Sequence, residues 1–90
     1  FPWSDIGSWP ALAQELPADT SANRVRGRVH VNDAHRNILM STGPTLSVVG
    51  VDDLVVVTTP DAVLVVPKDR AQQVRDVVEA LRAKGWDDVL

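Results

Sequence analysis

Apolar residues follow three regimes along this chain. Between residues 8 and 17 they recur at helical spacing: Trp9, Leu12, Ala13 and Leu16 take the i, i+3, i+4, i+7 positions behind Ser8, whose hydroxyl suits an N-cap. Pro10 fits a first helical turn and Pro17 stops the segment, so a short helix is expected with Gln14 and Glu15 facing water. Residues 25–66 then hold 12 of the 16 valines in short β-branched runs. These predict five strands, over 25–31, 37–41, 46–50, 54–59 and 62–66. The intervening residues Asn32-Asp33, Thr42-Gly43-Pro44, Val51-Asp52-Asp53 and Thr59-Pro60-Asp61 preset turn dihedrals or bond their own backbone.

Two patterns distinguish the strands. In the first, Val25, Val29 and Val31 alternate with Arg24, Arg26, Arg28 and His30, which predicts one buried face and one wet face. The runs 54–57 and 63–66 do not alternate; strands apolar on both faces need cover on both, so these two are expected at the centre of the sheet with the terminal helix on one side. That helix is predicted after Pro67. Asp69 is its N-cap, Gln72 completes a capping box, and Gly85 lies past its end. Ala71, Val74, Val77, Val78 and Leu81 form its apolar stripe, and Arg82 and Lys84 sit in the last turn, where cations suit the helix dipole. No repeat of fixed period stands out. The expected fold is α+β and β-rich: a body of five short strands, preceded by a short helix and closed by an amphipathic one.

Composition excludes several classes. The chain has 90 residues, 12 acids, 9 bases and no cysteine. Disulfide scaffolds, thiolate zinc sites and thiol nucleophiles are therefore excluded together. A net charge of −3 argues against a nucleic-acid partner, which calls for a dense positive surface. No apolar run approaches the about 20 residues that span a bilayer, so no membrane partner is expected. The chain begins at Phe1 rather than Met and ends soon after the last predicted helix. It reads as the end of something longer, with nothing expected to follow.

The unusual chemistry lies near the start, where Asp5 sits between Trp3 and Trp9 and beside Gly7. A carboxylate flanked by small residues can approach a metal ion or a phosphate-bound cation, and Gly7 lets a backbone or ligand come close. The same residues also fit a turn capped by Asp5 with two tryptophans filling core. His30, Asp33 and His35 are competent metal ligands, but with no fourth ligand nearby they read as a strand residue and a solvated loop. The Arg24, Arg26 and Arg28 row could hold phosphate; as a charged strand face it also discourages edge pairing, and that reading suffices. Asp52 and Asp53 read as turn residues, and Trp86 as packing on the body rather than stacking on a base.

The stretch Trp3-Ser4-Asp5-Ile6-Gly7-Ser8-Trp9 resembles the W-S-D-V-G-S-W signature of mannose-1-phosphate guanylyltransferases, near the C-terminal side of their catalytic domain. Ile6 for Val is the one departure. Residues 48–57 resemble the family's V-V-G-x-x-D-L-V-V-V, and residues 59–65 its T-x-D-A-L-L-V. Lys68-Asp69-Arg70-Ala71-Gln72 is similar to the segment that follows. The four motifs keep the family's order and spacing across most of the chain.

The resemblance implies a C-terminal region in two parts: residues 1–21 as the tail of the catalytic domain, and 22–90 as a small β-rich domain built as a short left-handed β-helix. It implies that Asp5 is catalytic, as a magnesium ligand, with Gly7 against the bound cofactor. It also implies transfer of GMP from GTP to mannose 1-phosphate in a cytoplasmic, homo-oligomeric parent. The Gly-rich nucleotide loop has no match here and belongs to the parent's N-terminal catalytic domain, so the isolated chain is expected to be inactive. The alternative is a non-catalytic packing or oligomerisation domain of a different sugar-nucleotide nucleotidyltransferase.

Overall fold

The computed structural model describes residues 14–89. Asp5, Gly7, Trp3 and most of the predicted first helix, including Trp9, Leu12 and Ala13, lie outside the described residues. Within them the chain winds as a β-helix of short rungs. The strands are β1 (Arg24–Arg26), β2 (Val29–Asn32), β3 (Ile38–Ser41), β4 (Leu46–Val49), β5 (Leu54–Thr58) and β6 (Val63–Pro67). β1, β3 and β5 stack in parallel as one face, and β2 and β4 stack in parallel as a second. A single parallel bridge, His35 to Asp52, marks a third, shorter face. Instead of turning a further coil, the chain folds β6 back antiparallel on β5, which ends the winding.

The described body has six strands where the sequence pattern predicts five, because the first valine run breaks at Gly27. Its φ is +94°, and a Cβ there would fall on the Ser41 carbonyl oxygen, inside any tolerable contact. Gly27 and Arg28 thus turn the corner between the first two faces in two residues. The next coil makes the same corner with the longer Thr42–Thr45 loop. Register shows the consequence: Arg24 pairs with Ile38, fourteen residues on, whereas Ile38 pairs with Val55, seventeen residues on. Unequal coils are why no fixed period is visible in the sequence.

The other corners repeat a backbone conformation rather than a residue type. Ala22, Arg36 and Asp53, at the matching corner of three successive coils, all adopt φ between 57° and 62°. Asp33 (φ 51°) and Gly50 (φ 66°) do the same where β2 and β4 end. Just inside the first corner lie Asn23 and Asn37, both fully buried. The Asn23 amide oxygen accepts from the Asn37 backbone N–H and from its side-chain amide, each at 3.0 Å. The Asn37 oxygen accepts the Leu54 N–H at 2.9 Å, and its amide also donates to the Val51 carbonyl at 2.9 Å. The Asn23 amide donates to the Ala34 carbonyl at 2.8 Å. Backbone groups that the bend removes from the ladder are satisfied by these two side chains. At the opposite corner the Thr58 hydroxyl donates to Ser41 Oγ at 2.7 Å, and Ser41 donates to the Pro44 carbonyl.

Successive side chains of β3 and β5 point to opposite sides, and both sides are buried. Leu39 and Val56 point into the coil, in register with the half-buried Val25. Ile38, Met40, Val55 and Val57 point outward and pack with Leu64 against Ala71, Val74 and Val78. The two-sided cover expected for 54–57 is found, with the terminal helix as one lid. It is not found for 63–66: Leu64 is buried, but Val63 and Val65 are 64% and 59% exposed. β6 is an edge strand beyond the last coil, and among the described residues no strand of a further coil stands against its inward side.

The terminal helix also starts differently from the expected form. Residues Lys68–Gln73 form a 3₁₀ segment, and α1 proper covers Val74–Ala83. No side-chain cap forms, so Asp69 and Gln72 do not make a capping box. In a 3₁₀ turn residues three apart eclipse, which seats Ala71 directly below Val74 on the sheet, both buried. The Lys68 N–H is meanwhile held by the Asp53 carbonyl at 2.8 Å. The C-terminus matches expectation. Gly85 (φ 75°) closes a Schellman motif in which the Trp86 N–H bonds the Leu81 carbonyl at 2.8 Å and the Gly85 N–H bonds that of Arg82 at 3.0 Å.

Two substitutions test this architecture. Gly27→Ala must place a methyl on the Ser41 carbonyl in a left-handed backbone, and is expected to cost about 3 kcal/mol or more. Asn37→Ala strands the half-buried Leu54 N–H and Val51 carbonyl and should cost about 2 kcal/mol. Urea unfolding midpoints check both; loss of under about 1 kcal/mol for either would contradict the corner geometry.

Candidate functional site

Asp5 and Gly7, the residues to which the sequence assigns chemistry, lie outside the described residues. What is described is how the segment following them is fastened to the β-helix. Leu16 packs against the core cluster, and the Arg24 guanidinium donates through Nη1 to the carbonyls of Leu16 (2.6 Å) and Gln14 (3.1 Å). Ala18 bridges Arg24 in antiparallel fashion. Asp19 then folds the chain into the first corner: one carboxylate oxygen accepts the backbone N–H groups of Ser21 and Asn23, both at 2.9 Å, and the other accepts from the Asn23 amide at 3.1 Å. Hydrogen bonds from Asn23, chiefly its side-chain amide, hold the Asp19 carboxyl below the usual carboxylate range. By sequence Arg24 is a strand-face cation; the joint that it forms with Asp19 depends on contacts that only the fold supplies.

Charges stack on the third face because successive coils place them in register. His35 Nδ1 lies 3.0 Å from Asp52 Oδ1, and the same oxygen accepts the His35 backbone N–H at 3.0 Å. At the next position Arg36 donates to Asp53 in a fork, Nε to Oδ1 at 2.9 Å and Nη2 to Oδ2 at 3.1 Å. The fork lowers the Asp53 carboxyl, with smaller help from the charges of Arg36 and Lys68, and raises the Arg36 guanidinium. Both side chains are about half exposed, so the pair holds register between coils more than it adds stability.

The remaining candidates separate. His30 faces solvent on β2, Asp33 occupies a positive-φ corner and His35 turns to Asp52, so the three do not converge. Among the described residues no group of three or more His, Asp or Glu side chains is placed to hold a metal ion. The bend at Gly27 splits the arginine row: Arg24 and Arg26 lie on β1, the edge of its sheet, and Arg28 lies at the corner. Asp52 and Asp53 are turn residues as expected, with the added pairings to His35 and Arg36. Trp86 does not pack into the body. It is 56% exposed, with the Lys84 ammonium 4.9 Å from its ring centroid. No helix of the described residues is long and apolar enough to cross a membrane.

Comparison with known proteins bears on this architecture. Residues 27–81 match the model of the MannoseP isomerase/GMP-like beta-helix domain. The chain is 40% identical over 83 residues to the alginate biosynthesis protein AlgA of Pseudomonas aeruginosa, covering 92% of this chain and 17% of that protein. It is 39% identical over 80 residues to a mannose-1-phosphate guanylyltransferase of Klebsiella pneumoniae, covering 89% of this chain and 17% of that one. A crystal structure described as mannose-1-phosphate geranyltransferase from Thermus thermophilus superposes with a TM-score of 0.67 at 34% identity, over 87% of this chain and 24% of that chain. The chain thus spans about a sixth of the length of the curated relatives it matches.

The lowered carboxyls predict an acid-dependent stability. A carboxylate depressed in the folded state contributes fully above its unfolded value of about 3.9, and that contribution disappears as pH falls through the folded value. The melting temperature should therefore hold steady between about pH 5 and 7 and drop below about pH 4, with a shallower drop in Asp19→Asn. A melting temperature unchanged down to about pH 2.5 would remove Asp19 and Asp53 from the account.

Proposed function

Because the chain belongs to the MannoseP isomerase/GMP-like beta-helix domain family, we propose that it is the C-terminal region of an enzyme that transfers GMP from GTP to mannose 1-phosphate, yielding GDP-mannose and pyrophosphate. The observation that supports this most is the order of parts: the Trp3–Trp9 stretch that contains Asp5 precedes, in the same short chain, a β-helix of the kind that the family model describes. In this reading residues 1–21 are the tail of the catalytic domain and 22–90 the β-helix domain. GTP and mannose 1-phosphate bind mainly to the parent's N-terminal catalytic domain, in a cytoplasmic setting. The isolated chain is inactive.

The reaction joins a phosphate oxygen of mannose 1-phosphate to the α-phosphorus of GTP and releases pyrophosphate. Positioning and charge neutralisation dominate such chemistry. Asp5 offers a hard carboxylate oxygen, the donor type that magnesium prefers, and would supply one ligand of the about six such an ion needs, the rest coming from the catalytic domain, phosphates and water. When bound, that ion offsets charge on the phosphate oxygens. Gly7, lacking a side chain, leaves room for the nucleotide to approach beside Asp5. The Arg24 clamp on the carbonyls of Gln14 and Leu16 ties the segment that follows to the rigid coil.

A second reading, a packing and oligomerisation module, is favoured by β6. Its run Val63-Leu64-Val65-Val66 stands at a sheet edge without the charge that usually guards such edges. The two readings concern different segments and separate in the full-length enzyme. Asp5→Ala is expected to lower kcat by at least about a hundredfold with an unchanged melting temperature. Val65→Lys should reduce the subunit number seen by light scattering and leave turnover of the assembled enzyme intact. Retained turnover in Asp5→Ala defeats the metal-ligand role.

A further inference from the structure

α1 and its 3₁₀ lead-in cover the outward side of β3 and β5, but β1 lies one strand further out. Between β1 and the start of the 3₁₀ segment an open cavity of about 500 Å³ remains, with Ile38, Ala22 and Gln14 in its lining. Its charged lining comes from three separate elements: Arg24 of β1, Arg36 of the second coil's corner, and Lys68 with Asp69 of the 3₁₀ segment. Three of the chain's nine cations thus meet at one concavity of a protein whose net charge is −3.

Other contacts hold the two guanidinium groups and leave donors over. Arg36 is fixed by its positive φ and commits Nε and Nη2 to Asp53, which leaves Nη1. Arg24 commits Nη1 to the two carbonyls, and its Nε and Nη2 have no partner among the described residues. Lys68 is anchored by its backbone N–H on Asp53, and its ammonium makes no hydrogen bond or ion pair among the described residues. Two guanidinium groups and an ammonium borne on three separate elements suit a tetrahedral group with several acceptor oxygens better than a planar carboxylate, which one guanidinium can saturate. The concavity is short and the chain's net charge is −3, which suits a small molecule rather than a nucleic-acid backbone.

We propose that the cavity between β1 and the 3₁₀ segment is a binding site for a phosphate-bearing small molecule, with Arg24, Arg36 and Lys68 contacting its phosphate oxygens and Asp69 opposing it. The proposal does not rest on the transferase reading. Its test uses the 90-residue chain, so the two can fail separately.

Isothermal titration at low ionic strength with inorganic phosphate, and separately with pyrophosphate, should show one saturable site that weakens as salt is added. Tighter binding of pyrophosphate marks a diphosphate ligand, and equal binding a phosphomonoester; either supports the site. Lys68→Ala should weaken binding about tenfold, while Asp69→Asn should tighten it. The second variant is a gain that misfolding cannot imitate. Arg82→Ala, at the far end of α1, should leave binding unchanged. Absence of saturable binding by either anion overturns the proposal. So does binding that neither Lys68→Ala nor Asp69→Asn alters, or that Arg82→Ala weakens as much as Lys68→Ala.

Discussion

A β-helix must bend its backbone several times per coil, and each bend takes N–H and C=O groups out of the sheet ladder while leaving them inside the protein. Here the bend into the main sheet is made tolerable by two buried amides. Asn23 and Asn37 stand one above the other and share hydrogen bonds with each other, with carbonyls of the bend and with the next coil's Leu54. A carboxylate could not donate at these positions, and an aliphatic residue could neither donate nor accept. Because each amide bonds the coil above, the pair also fixes register. A slip of one residue would turn Leu39 and Val56 out of the interior of the coil, toward α1, and bring the helix-facing residues inside.

With register fixed, a small chain can sustain a sheet buried on both sides. β3 and β5 send alternate residues into the coil and toward α1, so short strands serve two packed layers at once. Helix and coil are correspondingly interdependent: α1 has a strongly one-sided apolar stripe, and its buried residues Val74 and Val78 share one cluster with Ile38, Met40, Val55, Val57 and Leu64 of the sheet. Valine is a weak helix former and a good strand former, so tertiary packing rather than propensity holds this helix. The reversal of β6 then ends the winding and leaves Val63 and Val65 uncovered.

The same stacking organises charge. Arg36 sits over Asp53 and His35 over Asp52 because equivalent positions of two coils are seventeen residues apart. Exposed pairs of this kind add little stability. What they add is placement: Asp53 holds Arg36 by its side chain and Lys68 by its backbone carbonyl, bringing cations from distant parts of the chain to the cavity that Arg24 borders. The Arg24 clamp and the Asp19 turn, at the same end of the coil, tie in the segment that follows Asp5.

Local features were legible in the sequence. Period-two valines marked strands, Asn, Asp, Gly and Pro marked the turns, and Gly85 marked the end of α1, because each depends on a few neighbouring residues and the dihedrals they favour. The Trp3–Trp9 stretch, with Asp5 and Gly7, stood out by composition in the same way. What only the tertiary structure decided involves residues fourteen or seventeen apart. These are the break at Gly27, set by the Ser41 carbonyl pressing on it, and the shared positive φ of Ala22, Arg36 and Asp53, three unlike residues at one corner. They also include the pairing of Asn23 with Asn37; the exposure of Val63 and Val65, despite a run that looks fully buried, was decided instead by the antiparallel return of β6 on β5. Strand and helix periods are written into adjacent side chains; the stacking of unequal coils is written only in which backbone groups remain to be satisfied once the chain has come round.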